Sequence, residues 1–238
     1  METFKEFEFF RGKVKFRQPR RHRLSIIEIL FVAHLRGIKR TSTVVDLGAG
    51  FGALSVLTAL RYSCHVLAVE RDSLMLELLR YNVKVNQLQD KVSVVEGDVR
   101  DVEHFLKRYT ADAVIVNPPF YPAHWGSKDG GYHFEMDTKL EDFIKASSYL
   151  LKDGGHLNIL IPSFRFLEAV ENMKRYNIAP VHVMFFYPKL SKNARLVRIH
   201  GRKNMRSQMI IEKPLIINTE DGSYERDVAL TLDSFFMV

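Results

Sequence analysis

The feature that most constrains the fold of this chain is a regular alternation of short apolar segments with longer segments of helical periodicity. Short apolar runs predict strands, and apolar residues that recur every three or four positions predict helices. The predicted strands are 44–47, 65–69, 92–95, 113–116 and 156–161, and the helices between and after them are 53–62, 74–86, 140–151 and 162–176. Strands that alternate with helices of this length indicate a mostly parallel sheet in an α/β fold.

Further segments complete this prediction at both ends of the chain. A helix is predicted at 25–35 and a short amphipathic helix at 102–108, while the last third is rich in strands, at 181–187, 195–199 and 209–217. Strands that follow one another without helices favour an antiparallel edge on the sheet. We therefore expect a single domain: the α/β fold spans 41–238, and an N-terminal basic segment with one helix, 1–40, packs on its core.

A glycine-rich turn follows the first of these predicted strands, at the sheet edge where α/β proteins bind ligands. The chain reads Asp46-Leu-Gly48-Ala-Gly50-Phe-Gly52. Glycines at every second position allow a tight turn and let a ligand approach the backbone. The spacing differs from the G-x-G-x-x-G of a pyrophosphate-binding turn. A turn that only packs a helix against a strand is the alternative.

Acidic residues end the next two predicted strands. Glu70 is placed to accept hydrogen bonds from ribose hydroxyls, and its alternative is an exposed carboxylate without a ligand. Asp98 is placed to accept a hydrogen bond from an adenine amino group, and its alternative is the N-cap of the helix that follows.

The predicted strand 113–116 runs directly into Asn117-Pro118-Pro119-Phe120. An amino group on a heteroaromatic ring, like a carboxamide nitrogen, is a poor nucleophile because its lone pair is delocalised. Acceptors aimed at both N–H groups localise that lone pair, and we expect these acceptors to be the Asn117 side-chain oxygen and the Pro118 carbonyl. The prolines hold the carbonyls rigidly, and Phe120 offers a face for stacking a base. A plain strand-terminating turn is the alternative.

Positive charge is concentrated in two segments of a chain whose net charge is +7. Residues 1–40 contain eleven lysines and arginines and four acids, and residues 189–206 contain seven lysines and arginines and no acid. Two basic runs that flank a candidate site favour a nucleic-acid partner over a merely solvated surface. The candidate contacts to RNA are Arg17, Arg20, Arg21, Arg23, Lys192, Arg195, Arg202, Lys203 and Arg206. Charge reversal at Arg202 and Lys203 is expected to weaken RNA binding and to spare cofactor binding.

Together, the strand-end residues resemble the class I methyltransferases that use S-adenosylmethionine. Asn117-Pro118-Pro119-Phe120 is similar to the family's amino-methylating signature, Asp/Asn/Ser-Pro-Pro-Tyr/Phe/Trp. The resemblance implies a Rossmann-like, seven-stranded sheet with a reversed last strand, in-line methyl transfer to nitrogen, and no metal. It implies catalytic roles for Asn117, Pro118, Pro119 and Phe120, and cofactor contacts from Asp46, Gly48, Gly50, Gly52, Glu70, Asp98 and Asn117.

Softer motifs narrow this resemblance to bacterial tRNA adenine-N6 methyltransferases that act beside the anticodon of a valine tRNA. They include Phe16-Arg17-Gln18-Pro19, Tyr132-His133-Phe134-Glu135 and Gly201-Arg202-Lys203. The chain departs from the family after Ser25-Ile26, where an acid is expected, since Ile27 stands there and Glu28 follows one place later. The resemblance implies a tRNA substrate, and we expect a monomer.

Other enzymes share this chemistry, and they remain open as alternatives. Two enzyme classes use the same Asn-Pro-Pro-Phe type of motif: protein glutamine N5-methyltransferases and guanine-N2 methyltransferases of ribosomal RNA. The alternative outside enzymes is a non-catalytic RNA-binding scaffold on a degenerate methyltransferase fold.

The long loop after the active-site strand contains His124, Trp125 and His133, whose roles are open between function and packing. The single cysteine excludes an internal disulfide, and no apolar run is long enough for a membrane span, so we expect a cytoplasmic protein without a membrane partner.

Overall fold

The computed structural model describes residues 4–19, 23–118, 121–122, 134–135, 138–206 and 208–237. The helices are α1 (Ile26–Ala33), α2 (Ala53–Tyr62), α3 (Ser73–Val85), α4 (Leu140–Leu150), α5 (Phe166–Arg175) and α6 (Arg226–Asp233). The strands are β1 (Lys5–Phe9), β2 (Val14–Gln18), β3 (Thr43–Leu47), β4 (His65–Glu70), β5 (Val92–Glu96), β6 (Ala111–Val116), β7 (Tyr121–Pro122), β8 (Phe134–Glu135), β9 (Leu151–Pro162), β10 (Ile178–Tyr187), β11 (Leu196–Lys203), β12 (Ile210–Ile211) and β13 (Leu215–Ile216).

The described strands form one large sheet and two small two-stranded pairs, β1–β2 and β7–β8. The order in the large sheet is β12-β10-β11-β9-β6-β3-β4-β5, and β13 also pairs with β10. Strands β9, β6, β3, β4 and β5 are parallel, and β11 runs antiparallel to both of its neighbours, β9 and β10. The predicted mostly parallel α/β sheet with one reversed strand is therefore confirmed, and the two-residue strands β12 and β13 extend it beyond seven.

Helices cover the large sheet on both faces, so that the core forms two apolar layers. One layer joins α1, α2, α3 and the end of α6 to residues such as Val44 and Val66 of the sheet. The other joins α4 and α5 to residues such as Val45 and Val114. Consecutive sheet residues thus point to opposite layers, as the period of two in a strand requires.

The N-terminal hairpin β1–β2 was not predicted, and it is held on the core in an unusual way. Val14 and Phe16 are fully buried. The outer backbone edge of β2 is bonded by two amide side chains, one in α3 and one at the C-cap of that helix. Asn82 accepts from the amide of Arg17 at 2.7 Å and donates to its carbonyl at 2.9 Å. Asn86 bonds the amide and carbonyl of Lys15 in the same way, at 3.0 and 2.7 Å. One helical turn of α3 matches two residues of the strand.

Several other predicted elements differ from the structure. The helix predicted at 102–108 is wrong, because the chain forms a kinked 3₁₀ segment at Val99–His104 that begins at Asp98. The strand predicted at 209–217 is interrupted after Ile211, since Pro214 cannot donate a ladder hydrogen bond. Helix α6 was not predicted. Among the described helices, none combines the length and apolar character needed to span a bilayer.

Candidate active site

Four parallel strands end beside one another in the order β6-β3-β4-β5. Because their carboxyl ends meet at one edge of the sheet, the structure brings Asp46, Glu70 and Asn117 together there, with the turn after β3 between them. We call this side of the sheet the ligand edge and the other side the opposite edge.

The glycine turn, from Gly48 to Gly52, joins β3 to α2. Its three glycines have positive φ angles of 74°, 56° and 91°. A Cβ atom on Gly52 would overlap the side chain of Leu79, whereas a Cβ on Gly50 would meet nothing within 4 Å. The Gly48 amide donates to the Val69 carbonyl at 3.0 Å, which ties the turn to β4. The turn is therefore packed at its base and open at Gly50, where a ligand can approach the backbone.

Glu70 connects the glycine turn to the start of α3. One carboxylate oxygen accepts from the Gly50 amide at 2.7 Å, and the other accepts from the amides of Arg71 and Asp72 at 2.8 and 2.9 Å. A carboxylate has about four acceptor positions, so Glu70 keeps capacity for a ligand hydroxyl beside these three bonds.

Asp46 is buried at the end of β3, and one of its oxygens is unsatisfied. Oδ2 accepts from the Ser55 hydroxyl at 2.6 Å, whereas Oδ1 has no hydrogen-bond partner among the described residues. The pKa of the Asp46 carboxyl is raised to about 7, mainly by burial and to a smaller extent by the nearby Glu70 and Glu28. A cation at this place would stabilise the ionised form of Asp46.

Glu28 belongs to the same acidic group, although the sequence did not identify it as a site residue. Its carboxylate accepts from the amide and hydroxyl of Ser25 at 2.7 and 3.1 Å, which caps the start of α1. Burial raises the pKa of Glu28 to about 7. The Ser-x-x-Glu spacing of a capping box was visible in the sequence. The position of the Glu28 carboxylate near Asp46, in contrast, depends on how α1 packs.

Asp98 is paired with two arginines and also caps the 3₁₀ segment. It accepts from Arg100 Nε and Nη2 at 3.0 and 2.7 Å, from the Arg100 amide at 2.9 Å, and from Arg71 Nη1 at 2.9 Å. The Arg100 guanidinium holds the pKa of Asp98 well below its usual range. The N-cap interpretation of Asp98 is thus realised, and the adenine contact stays a prediction.

Asn117 carries the second unsatisfied oxygen of the ligand edge. It follows β6 directly, and its side-chain Oδ1 is buried without a hydrogen-bond partner among the described residues. Pro118, the next residue along the chain, is buried. The predicted roles of Pro119 and Phe120 lie outside the described residues, as do those of His124, Trp125 and His133. Buried acceptors without partners are uncommon and point to a missing donor.

The N-terminal candidates for RNA contact lie near the glycine turn. The Arg17 guanidinium is stacked 3.7 Å from the centre of the Tyr81 ring. Asn82, which holds the backbone of Arg17, also donates to the carbonyl of Phe51 in the glycine turn at 2.8 Å. Arg23 is exposed just before α1. Arg20 and Arg21 lie outside the described residues.

The second basic segment does not lie on one side of the molecule, contrary to the expectation that it flanks the candidate site as a unit. Because β11 is reversed, it starts beside Pro162 at the ligand edge and ends beside His156 at the opposite edge. Lys192 and Arg195 therefore lie at the ligand edge, and Arg202, Lys203 and Arg206 lie at the opposite edge.

Two of these residues at the opposite edge also have structural partners. Lys203 is only 5% exposed, and its ammonium donates to the Ser148 hydroxyl at 2.6 Å. Arg202 donates to the Gly154 carbonyl at 2.9 Å. Both the position and these bonds argue against the expected effect of charge reversal at Arg202 and Lys203 on RNA binding.

Comparison with known proteins gives a consistent family. A family model described as the methyltransferase small domain matches residues 27–178. The chain is 26% identical over 197 residues to a Dyadobacter fermentans protein named tRNA1(Val) (adenine(37)-N6)-methyltransferase, which is 78% of either protein. It is 25% identical over 204 residues to a protein of the same name from Cytophaga hutchinsonii, which is 83% of either protein.

Solved structures share the fold. A protein of Agrobacterium tumefaciens described as a predicted O-methyltransferase superposes with a TM-score of 0.72 at 20% identity, over 88% of this chain and 96% of that one. M. jannaschii TYW2 in complex with AdoMet superposes with a TM-score of 0.59 at 19% identity, over 85% of this chain and 88% of that one.

Proposed function

Because the chain belongs to the methyltransferase small domain family, we propose that it transfers a methyl group from S-adenosylmethionine to N6 of an adenine in tRNA. The observation that carries this proposal is the buried, unsatisfied Oδ1 of Asn117 at the end of β6. The relatives named as tRNA1(Val) adenine(37)-N6-methyltransferases support adenine 37, beside the anticodon, as the target.

The residues around the glycine turn fit S-adenosylmethionine, which carries positive charge on its sulfonium and its amino group. Burial leaves the carboxyl groups of Asp46 and Glu28 with raised pKa values in the absence of a cation. A cationic ligand removes this penalty by pairing with the ionised carboxylates. Glu70 accepts from the Gly50 amide, so it lies where ribose hydroxyls can reach both the carboxylate and the open tip of the turn.

The reaction requires an adenine amino group to become a nucleophile. Oδ1 of Asn117 has no hydrogen-bond donor among the described residues. When the base is bound, this oxygen accepts a hydrogen bond from one of the two amino N–H groups. The carbonyl of Pro118, the next residue along the chain, is the second acceptor. Together these acceptors localise the nitrogen lone pair in the transition state, and they are preorganised by the end of a buried strand.

When bound, the cofactor would supply an electrophilic methyl group on a sulfonium, whose S–C bond would break as the N–C bond forms in line, releasing the neutral thioether S-adenosylhomocysteine. The attacking amino group is neutral, so the chain needs no base before transfer. The methylated nitrogen then carries an extra proton, which is lost to solvent. The task of the chain is to position the base and the methyl donor and to exclude competing water.

The first experiment is methyl transfer from radiolabelled S-adenosylmethionine to total tRNA that lacks the modification, followed by digestion to nucleosides. We expect labelled N6-methyladenosine with the unchanged enzyme. Asn117→Ala should lower kcat/KM by roughly 100-fold or more, because one preorganised acceptor is lost. Asn117→Asp should keep part of the activity, since its carboxylate oxygen also accepts.

A binding measurement separates chemistry from folding in this experiment. The dissociation constant of S-adenosylmethionine for Asn117→Ala, measured by calorimetry, should stay within about threefold of the unchanged value if the residue acts mainly on the base. Cofactor binding without label in tRNA would contradict the proposed substrate and favour ribosomal RNA guanine or protein glutamine. Failure of the unchanged chain to bind the cofactor would contradict the enzyme function and favour an RNA-binding scaffold.

A further inference from the structure

A short turn at the end of β9 presents an aromatic side chain at the ligand edge. Residues Ser163–Arg165 form one 3₁₀ turn between β9 and α5. Phe164 in this turn is 52% exposed, and Leu167 in the first turn of α5 is 70% exposed. Large apolar side chains that are exposed together beside a candidate site indicate a binding surface.

The turn is fixed by hydrogen bonds to the loop between β10 and β11. The Ser163 amide donates to the Arg195 carbonyl at 3.0 Å, and its hydroxyl donates to the Ala194 carbonyl at 2.7 Å. The Arg165 guanidinium donates to both oxygens of Glu168, at 2.9 and 2.6 Å. The position of Phe164 is therefore set before any partner binds, which lowers the entropy that binding must overcome.

Phe164 lies close to the candidate catalytic residue. Strands β6 and β9 are parallel neighbours, and Val116 is level with Ile159. Asn117 is therefore level with Leu160, and Phe164 follows four residues later, beyond the end of the strand. With about 4.8 Å between strands and 3.3 Å per extended residue, Phe164 lies on the order of 10–15 Å from Asn117. This separation suits a nucleotide next to the one that is methylated.

The charges around the turn favour a polyanion. Lys192 and Arg195 are exposed in the loop that holds the turn, and among the described residues neither forms a salt bridge. Two acids, Glu220 and Asp221, also lie near this loop. Glu220 accepts from the Ser191 amide and hydroxyl at 3.1 and 2.9 Å, next to Lys192, and Lys189 donates to the Glu220 carbonyl at 2.8 Å. The acids therefore offset part of the positive charge, and Arg195 remains the cation farther from them along the loop. Cations beside an exposed aromatic ring are the combination that binds single-stranded nucleic acid.

From this arrangement we infer that Phe164 is a base-stacking subsite for the RNA, which takes an unpaired base that flanks the target adenine, while Lys192 and Arg195 contact the adjoining phosphates. The inference rests on the proposed function for its substrate. Sequence-specific RNA recognition targets single-stranded loops whose bases stack on aromatic side chains, and a target adenine can reach Asn117 only when it is extruded from its stack. Phe164 replaces part of the stacking that the flanking base then loses.

The test compares three substitutions at Phe164 in the full chain. Phe164→Ala removes the ring, Phe164→Leu keeps an apolar side chain without a ring, and Phe164→Trp keeps a larger ring. For unmodified tRNA, we expect Phe164→Ala and Phe164→Leu to raise KM by roughly 10- to 100-fold, because one stacked base is lost. Phe164→Trp should restore a KM near the original. The dissociation constant of S-adenosylmethionine should not change in any variant.

The matched control is Tyr109→Ala. Tyr109 is 44% exposed, and it lies just before β6 at the opposite edge. Its loss should leave KM for tRNA unchanged. Equal KM values for Phe164→Ala and Tyr109→Ala, or full activity of Phe164→Leu, would overturn the stacking subsite. A change in sedimentation with no change in RNA affinity would also overturn it, because the surface would then bind protein.

A second readout does not depend on methyl transfer. In Phe164→Trp, the new tryptophan should be quenched by a single-stranded RNA oligonucleotide and not by polyphosphate, which has charge but no bases. The unchanged chain, whose one tryptophan is Trp125, gives the background. Quenching by RNA without tRNA methylation would contradict the proposed function and retain the subsite. Methylation with no base-dependent quenching would contradict the subsite and retain the function.

Discussion

At the scale of single residues, the ligand edge contains two buried oxygens that have no hydrogen bond among the described residues, Oδ1 of Asp46 and Oδ1 of Asn117. A buried polar atom without a partner costs about 1–3 kcal/mol. Both lie at the ends of the neighbouring strands β3 and β6. These unpaired oxygens lower the free energy of unfolding of the chain without ligands, and they lie where the proposed ligands supply hydrogen-bond donors.

Gly50 provides a prediction at this scale. Gly50→Ala places a methyl group where the structure is open and a ligand would approach, so we expect the dissociation constant of S-adenosylmethionine to rise by at least about tenfold. The positive φ of 56° adds strain of about 1–2 kcal/mol. Calorimetry gives the affinity and chemical denaturation gives the stability.

Gly222→Ala is the control for this strain. Gly222 has a φ of 94°, and a Cβ atom added there would also meet nothing within 4 Å, but this glycine lies in the loop before α6. The Gly222→Ala variant should lose similar stability and keep its cofactor affinity. Equal affinity losses in the two variants would mean that strain, and not contact with the ligand, explains the effect at Gly50.

At the scale of elements, the hairpin β1–β2 depends on α3. Asn82 forms three hydrogen bonds, to both backbone groups of Arg17 and to the Phe51 carbonyl, and it is fully buried. Asn86, the C-cap of α3, bonds both backbone groups of Lys15 and the Asn82 backbone carbonyl one turn earlier. Two asparagines one helical turn apart therefore take the place of a neighbouring strand.

This arrangement predicts unequal effects of two similar substitutions. Asn82→Ala should lower the free energy of unfolding by roughly 2–4 kcal/mol, since it leaves the buried Phe51 carbonyl and two partly buried backbone groups of Arg17 unpaired. Asn86→Ala should cost less, about 1–2 kcal/mol, because Asn86 is only partly buried, whereas Asn82 is fully buried. Urea denaturation of both variants measures the difference, and equal losses would contradict the greater importance of Asn82.

Comparison of sequence and structure is also informative at this scale. The strands β3 to β6 and helices α2 and α3 were predictable, because buried parallel strands and amphipathic helices leave regular apolar patterns. Because ligands bind at the carboxyl ends of such strands, the predicted strand ends then identified Asp46, Glu70 and Asn117 as candidate site residues. The hairpin was missed although Val14 and Phe16 alternate with charged residues, the period-two pattern of a half-buried strand; what the sequence does not show is that its partners are asparagines far along the chain. Glu28 was missed for a similar reason: its position depends on the packing of α1.

At the scale of the whole molecule, the reversed strand β11 divides the basic segment between two edges of the sheet. Its eight residues span about 24 Å from first to last. Lys192 and Arg195 precede it at the ligand edge, and Arg206 follows it at the opposite edge. The run of charge in the sequence is therefore not a single surface in the fold, and only its first part adjoins the candidate site.

This division predicts different effects of single charge reversals. Arg195→Glu should weaken tRNA binding, and the slope of log affinity against log salt should become shallower by about 0.7–1 as a phosphate contact is lost. Arg206→Glu makes the same charge change on a residue that is also exposed, and it should change the affinity less. Filter binding across a series of salt concentrations measures both. Equal effects would show that RNA reaches around to the opposite edge.

The Asn82 side chain has one more consequence, for the relation between the two proposed ligands. Its amide nitrogen donates at once to the Arg17 carbonyl in the hairpin and to the Phe51 carbonyl in the glycine turn. A ligand that shifts one of these carbonyls would also disturb the shared donor, so we expect RNA bound at the hairpin and cofactor bound at the turn to be energetically coupled. Thermodynamic reciprocity then requires that tRNA changes the affinity for S-adenosylmethionine by the same factor by which S-adenosylmethionine changes the affinity for tRNA.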